Sequence, residues 1–290
     1  MVQIKEIMTK KVITITAPNT RAKAILTLIK HKITGAPVVK KDTAQLIGLI
    51  TRQDFFQHPE EEQVSILMKK DIPVVAPEDD VNLACKIFLS KNIHHLPVVK
   101  NGKLNGIVTP ADVLKVIEKS KSDKTVRECM KTPCIPLYKE TPITVANAII
   151  ELCNVYAFPV VDQNVRLIGI VTDRDIFNVN VVDERMKTSI LGATEDADGW
   201  SWDGLKNIMK LVYTTKQISL PVVPVEKIMI RKVVTVYGST PVSEAAKKMR
   251  TYDYGQLPVV DAKNRLIGMI YDNDLLNVLL PAESETPKLV

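Results

Sequence analysis

Three copies of one short pattern punctuate the chain: Thr51-Arg52-Gln53-Asp54, Thr109-Pro110-Ala111-Asp112 and Thr172-Asp173-Arg174-Asp175. A threonine three residues before an aspartate at a strand-to-helix junction makes a capping box. The hydroxyl and the carboxylate satisfy backbone N–H groups that the helix start leaves unpaired. Pro110, at a first helical position, fits such a start. The same geometry suits a ribose. A carboxylate can accept from two vicinal hydroxyls, while a threonine hydroxyl and helix N-terminal N–H groups can meet a phosphate. Both roles can reside in one side chain. A fourth copy, Tyr271-Asp272-Asn273-Asp274, keeps the aspartate but replaces the threonine with a phenol bulky enough to fill a cleft or stack on a ligand. A site built on Asp274 is therefore expected to differ from the others. No nucleophile–base pair, metal-ligand cluster or G-x-G-x-x-G loop stands out, which argues against an enzyme. Cys85, Cys129, Cys134 and Cys153 sit at no zinc-ligand spacing, and no histidine lies near Cys129 and Cys134, so buried thiols in a reducing compartment are expected.

The elements that must position these motifs recur with them. Pro-Val-Val appears at Pro37, Pro97, Pro159 and Pro258, followed each time by a polar turn and then by QLIGLITRQD, KLNGIVTPAD, RLIGIVTDRD or RLIGMIYDND. Ahead of each lies a helix-like stretch, and ahead of that a short β-branched run such as VITITAP or KVVTVYG. In Arg21–Lys32 the helical spacing puts Ala22, Ile25, Leu28 and Ile29 on one face. Segments such as Lys100-Asn101-Gly102-Lys103 read as hairpin turns. The unit is β-α-β-β-α. It recurs over 2–57, 65–118, 125–178 and 224–280, with an insertion at 179–223. One unit is too small to bury both faces of its strands, so the repeats should pair. The insertion holds both tryptophans, Trp200 and Trp202, and a helix-like run at Leu205–Tyr213. Local packing is the first expectation for it, and partner docking the second.

The composition is that of an ordinary soluble domain: 290 residues, 46% hydrophobic and 25% charged, with a formal net charge of +6. That charge is too mild and too spread to argue for nucleic acid. No apolar signal core or membrane-length run is present, so a cytoplasmic protein without a membrane partner is expected.

Four copies in register of hydrophobic–Pro-Val-Val followed by Gly-x-x-Thr-x-x-Asp resemble the cystathionine-β-synthase (CBS) domain family over nearly the whole chain except the insertion. The resemblance implies an α/β (α+β) fold of four repeats paired into two discs (tandem Bateman modules), as in the gamma subunits of AMP-activated protein kinase and their archaeal relatives. It implies that Asp54, Asp112, Asp175 and Asp274 bind ribose, with Thr51, Thr109 and Thr172 near ribose or phosphate. Three residues before each Pro-Val-Val proline stand Thr34, His94, Tyr156 and Gly255, where a basic residue would reach phosphates; His94, with His95 beside it, matches best. Arg52 and Arg174 could pair with phosphates. Thr141 matches a position that holds adenine, with Val155 and Tyr156 across from it. Asn19 and Thr240 are its equivalents in the first and fourth repeats, and Asp79, which would repel a phosphate, in the second. The third repeat's site is the most complete on this reading.

The implied function is a non-catalytic sensor of energy state that binds AMP, ADP or ATP, needs no catalytic cofactor and acts through a regulated partner protein, kinase-like by analogy. A homodimer is a further expectation. The alternatives are a sensor for S-adenosylmethionine or a related adenosyl compound, and a nucleic-acid-binding protein. The histidine and arginines weigh against the first, and the absence of a basic–aromatic stripe against the second.

Overall fold

The computed structural model describes residues 2–58, 61–131, 133–153, 155, 157–179, 181–188, 212–219 and 222–280, with backbone alone at 56, 151, 177–179, 181–188 and 212–219. The first repeat runs α1 (Ile4–Ile7), β1 (Ile15–Ala17), α2 (Arg21–His31), β2 (Gly35–Lys40), β3 (Leu46–Thr51) and α3 (Arg52–Gln57). The second runs α4 (Val64–Leu67), α5 (Val81–Lys91), β4 (Leu96–Lys100), β5 (Lys103–Val108) and α6 (Pro110–Ile117). The third comprises α7 (Val126–Cys129), β6 (Leu137–Tyr138), α8 (Ile143–Cys153), β7 (Ala157–Val161), β8 (Leu167–Thr172) and α9 (Asp173–Val179). Within the insertion, β9 (Val181–Thr188) pairs antiparallel with β10 (Val212–Ser219). The fourth repeat opens on a 3-10 turn (Val225–Lys227), then β11 (Val236–Tyr237), α10 (Val242–Tyr252), β12 (Gln256–Val260), β13 (Leu266–Tyr271) and α11 (Asp272–Leu276).

Trp200, Trp202 and most of the helix-like run at Leu205–Tyr213 lie outside the described residues. Val212 and Tyr213 begin β10 rather than ending a helix. They lead into Thr214 and Thr215, and β-branched and aromatic residues suit a strand.

The Pro-Val-Val strand of each repeat pairs antiparallel with the glycine strand in one register: Val38 with Gly48, Val98 with Gly106, Val160 with Gly169 and Val259 with Gly268, each followed by an irregularity. In the first, third and fourth repeats the β-branched leader adds a parallel strand. In the second it makes only a bridge, Val75 to Val98. The turn at Asn101-Gly102 has φ of 52° and 73°, the left-handed pair that closes a two-residue hairpin. Helix α2 buries Ala24, Ile25 and Leu28, with Arg21 beside them, whereas Ile29 is 39% exposed. The buried stripe is thus turned slightly from the expected face, following the i, i+3, i+4, i+7 spacing from Arg21. Arg21 is only 2% exposed and donates to the carbonyls of Phe55 and His58, each at 2.5 Å.

Repeats pair as first with second and third with fourth. The segment leading into one repeat lies along the glycine strand of its partner, as the bridges Thr9–Ile107, Leu49–Lys69 and Ile170–Ile230 record. Glycine is required there for a steric reason. A Cβ built on Gly48 would stand 2.7 Å from the Lys69 carbonyl oxygen and 2.9 Å from Met68 Sδ. The two discs then join through the second and fourth repeats. Helices α10 and α11 pack on α6, and the apolar side chains of both repeats merge into one core that includes Phe88, Leu114, Met249 and Leu275. The first repeat builds a further core with Val64, Leu67 and Met68 of the second, and the third builds one with Val225, Met229, Met269 and Tyr271 of the fourth. Among the described residues, no helix is long and apolar enough to cross a membrane.

Candidate functional site

All four motif aspartates cap the last helix of their repeat through one oxygen. Asp54 Oδ2 accepts from Thr51 N and Thr51 Oγ1, both at 2.7 Å. Asp112 Oδ2 accepts the same pair from Thr109 at 3.1 and 3.0 Å, and Asp175 Oδ2 from Thr172 at 2.8 and 2.7 Å. In the fourth copy, Asp274 Oδ2 accepts from Tyr271 N at 3.0 Å. The second oxygen differs between repeats. Lys69 Nζ lies 3.3 Å from Asp54 Oδ1, and Lys115 Nζ lies 3.1 Å from Asp112 Oδ1.

Around Asp274 the chain forms a solvent-open cleft of about 260 Å³ drawn from three repeats. Leu89, Pro133, Val155 and Tyr271 give it apolar walls, while His94, Lys131, Asn273 and Asp274 supply polar groups. Flat apolar walls beside a few directed polar groups are what a small-molecule site requires. Tyr271 is 7% exposed, and its hydroxyl donates to the Ala157 carbonyl at 3.2 Å, so the ring forms a wall anchored to the third repeat. Burial raises its phenol pKa above the usual value. Val155 thus stands with Asp274 in this cleft, whereas Thr141 sits at the start of α8, its carbonyl accepting from Val225 N at 2.8 Å. Tyr156 lies outside the described residues.

The positions equivalent to Thr141 share one backbone role. The carbonyls of Asn19, Asp79 and Thr240 accept from Val64 N, Ile4 N and Val126 N at 3.2, 2.9 and 2.9 Å. In every case the acceptor holds the first turn of the partner repeat. The side chains of Asn19 and Thr240 are engaged locally, accepting from Thr20 N and Tyr237 N.

The two adjacent histidines face different neighbours. His95 Nε2 lies 2.7 Å from Thr34 Oγ1 in the first repeat, while His94 Nε2 lies 3.5 Å from Asn273 Nδ2 in the fourth, at the weak limit of a hydrogen bond. Burial lowers their pKa values to about 4 for His94 and about 3 for His95, where His94 and Arg52 add repulsion. Both are therefore neutral at physiological pH. Arg52 leaves the first repeat and meets the third: its Nη1 is 3.2 Å from Asp173 Oδ2, with side-chain exposures of 4% and 18%. Desolvation pushes the Arg52 pKa down and the Asp173 pKa up, so burial outweighs the attraction each feels. Asp272, at the same motif position in the fourth repeat, is buried and its pKa rises to about 7, chiefly by desolvation. Arg174 and Asp175 are half-buried beside Asp173.

Sequence reasoning missed Asp173, Asp272 and Asn273, although all three stand inside the motif, and it missed the lining residues Leu89, Lys131 and Pro133. Only the juxtaposition of three repeats selects these last three. Among the described residues, no group of three or more His, Cys, Asp or Glu side chains could hold a metal ion.

The CBS domain model matches residues 4–61, 63–119, 126–181 and 225–281. The chain belongs to the CBS domain family. Protein MJ1225 of Methanocaldococcus jannaschii is 28% identical over 191 residues, 60% of this chain and 68% of that relative. A solved structure of MJ1225, described as a candidate archaeal homologue of g-AMPK, shares the fold with a TM-score of 0.75 at 23% identity, covering 96% of this chain and 100% of that one. An uncharacterized conserved protein from Pyrococcus horikoshii matches with a TM-score of 0.63 at 28% identity and the same coverage. A CBS domain-containing protein of Dictyostelium discoideum is 32% identical over 162 residues, 56% of this chain and 95% of that protein.

Proposed function

We propose that this CBS protein is a non-catalytic sensor of an adenine nucleotide, with AMP, ADP and ATP as the ligands to test, and that a partner protein reads its occupancy. The observation that carries this reading is the cleft at Asp274: a capping carboxylate, able to accept from a ribose diol, beside apolar walls that can enclose a base. The cleft gathers side chains from both discs, so a ligand there would bias how the discs sit together, and a partner could sense that bias. Lys131 is the one cation among its lining residues. That favours a ligand with few phosphates and keeps a second reading in view, an adenosyl sulfonium such as S-adenosylmethionine.

Titration calorimetry of ligand-stripped protein against AMP, ADP, ATP and S-adenosylmethionine tests both readings. Micromolar binding of an adenine nucleotide, weakened in Asp274→Asn, is the expected result. No heat with any of the four, together with an unchanged melting temperature at millimolar ligand, would overturn the proposal and leave the motif as a helix cap.

A further inference from the structure

The motif carboxylates of the two discs meet different neighbours. In the first disc each has an internal ammonium on the oxygen that the helix cap leaves over: Lys69 on Asp54 and Lys115 on Asp112. Lys69 arrives from the partner repeat, held beside the glycine strand by its backbone bridge to Leu49. Lys115 comes from the same helix as Asp112 and also donates to the Ile7 carbonyl at 3.3 Å. In the second disc the fourth repeat keeps a lysine in the Lys69 register, since Lys131 follows Met130 beside Gly268 and lines the Asp274 cleft, and it is the third repeat that differs. The bridge to Ile170, the counterpart of Leu49, is made by Ile230, so an aliphatic residue takes the register at the third repeat that Lys69 holds at the first. One turn beyond Asp274, the counterpart of Lys115 is Asn277.

From this difference we infer that Lys69 and Lys115 are internal competitors for the diol of an adenosyl ligand, so that sites in the first disc fill after the site at Asp175. The inference rests on the adenosyl reading above. A carboxylate whose capping oxygen already accepts two hydrogen bonds has one oxygen left for a diol, and an ammonium there must be displaced before the diol can bind. The lysines are 55% and 45% exposed at the side chain, so they can swing into solvent and the competition is modest. A half-exposed ion pair of about 1 kcal/mol corresponds to roughly a fivefold change in affinity.

Adenosine is the discriminating probe because it has the diol and no phosphate. Lys69→Met and Lys115→Met keep the aliphatic stem and remove only the charge. Each is expected to tighten the weaker phase of the adenosine isotherm roughly fivefold, and Asp54→Asn added to Lys69→Met should abolish that gain. In the unaltered protein, saturating adenosine should also raise the acetylation rate of Lys69 and Lys115, followed by peptide mass spectrometry. Lysine variants that bind adenosine as the unaltered protein does, or more weakly, overturn the inference and leave the adenosyl reading standing. An unchanged acetylation rate at saturation overturns it as well. Absence of adenosine and AMP binding in the unaltered protein and in both variants overturns the two readings together.

Discussion

The discs meet along two edges of opposite character. At the second and fourth repeats, α6, α10 and α11 bury a continuous apolar core, rimmed by an ion pair between Arg250 and Glu118. At the first and third repeats, an ion pair between the buried Arg52 and the half-buried Asp173 spans the discs. Apolar burial is non-directional and accumulates with area. A buried ion pair contributes little net stability but is costly to break from one side. The apolar edge therefore holds the discs together, and the ionic edge fixes how they are aligned. Ligand motifs lie at both edges, so occupancy should shift the ionic edge more readily than the apolar one.

The largest effect should come from the apolar edge. Met249→Ala or Leu114→Ala removes a side chain 1% exposed in the shared core and should destabilise the protein by about 2–5 kcal/mol in denaturant titration. A much smaller loss would show that the discs do not depend on that core. Asp173→Ala should follow at about 3 kcal/mol, because it leaves the Arg52 guanidinium buried without that carboxylate. A neutral outcome would mean that the first and third repeats do not rely on the pair for alignment.

Between these and the surface lies a pH dependence. His94 and His95 have folded pKa values depressed below the unfolded value, so their contribution is complete above about pH 6.5 and is lost as pH falls toward 4 and 3. Asp272 works the other way. Its folded pKa is raised to about 7, so its burial costs nothing below about pH 4 and progressively more as pH rises to 7. Asp272→Asn should therefore stabilise the protein at pH 8 and steepen its loss of melting temperature below pH 6. Equal melting curves at pH 8 would show that Asp272 is solvated. The smallest effect belongs to the rim: Glu118→Gln should cost under about 1 kcal/mol, since the Arg250–Glu118 pair is 37% and 25% exposed.

Much of this was legible from residue order because it is local. The hairpin turn at Asn101-Gly102 follows from two residues that tolerate positive φ, and the capping boxes follow from Thr and Asp at fixed spacing. Four copies of one pattern also implied the fold and the pairing of repeats, since a single copy cannot bury its own strands. Which faces meet across the discs was not legible. The sequence treats His94 and His95 as near equivalents, yet the chain aims one at the fourth repeat and the other at the first. Tyr271 reads on paper as a ring that could fill a cleft or stack on a ligand, and in the structure its hydroxyl finds the Ala157 carbonyl more than a hundred residues away and the ring becomes a wall. The third repeat reads as the most complete site, but Val155 stands in the cleft of the fourth. Sequence by itself determined the repeating unit, its caps and its turns, because backbone geometry and hydrogen bonding act within a few residues. Only the tertiary structure decided that Asp274 stands in an open cleft and that Asp54 and Asp112 each meet a lysine, because those outcomes depend on how four nearly equivalent units pack on one another.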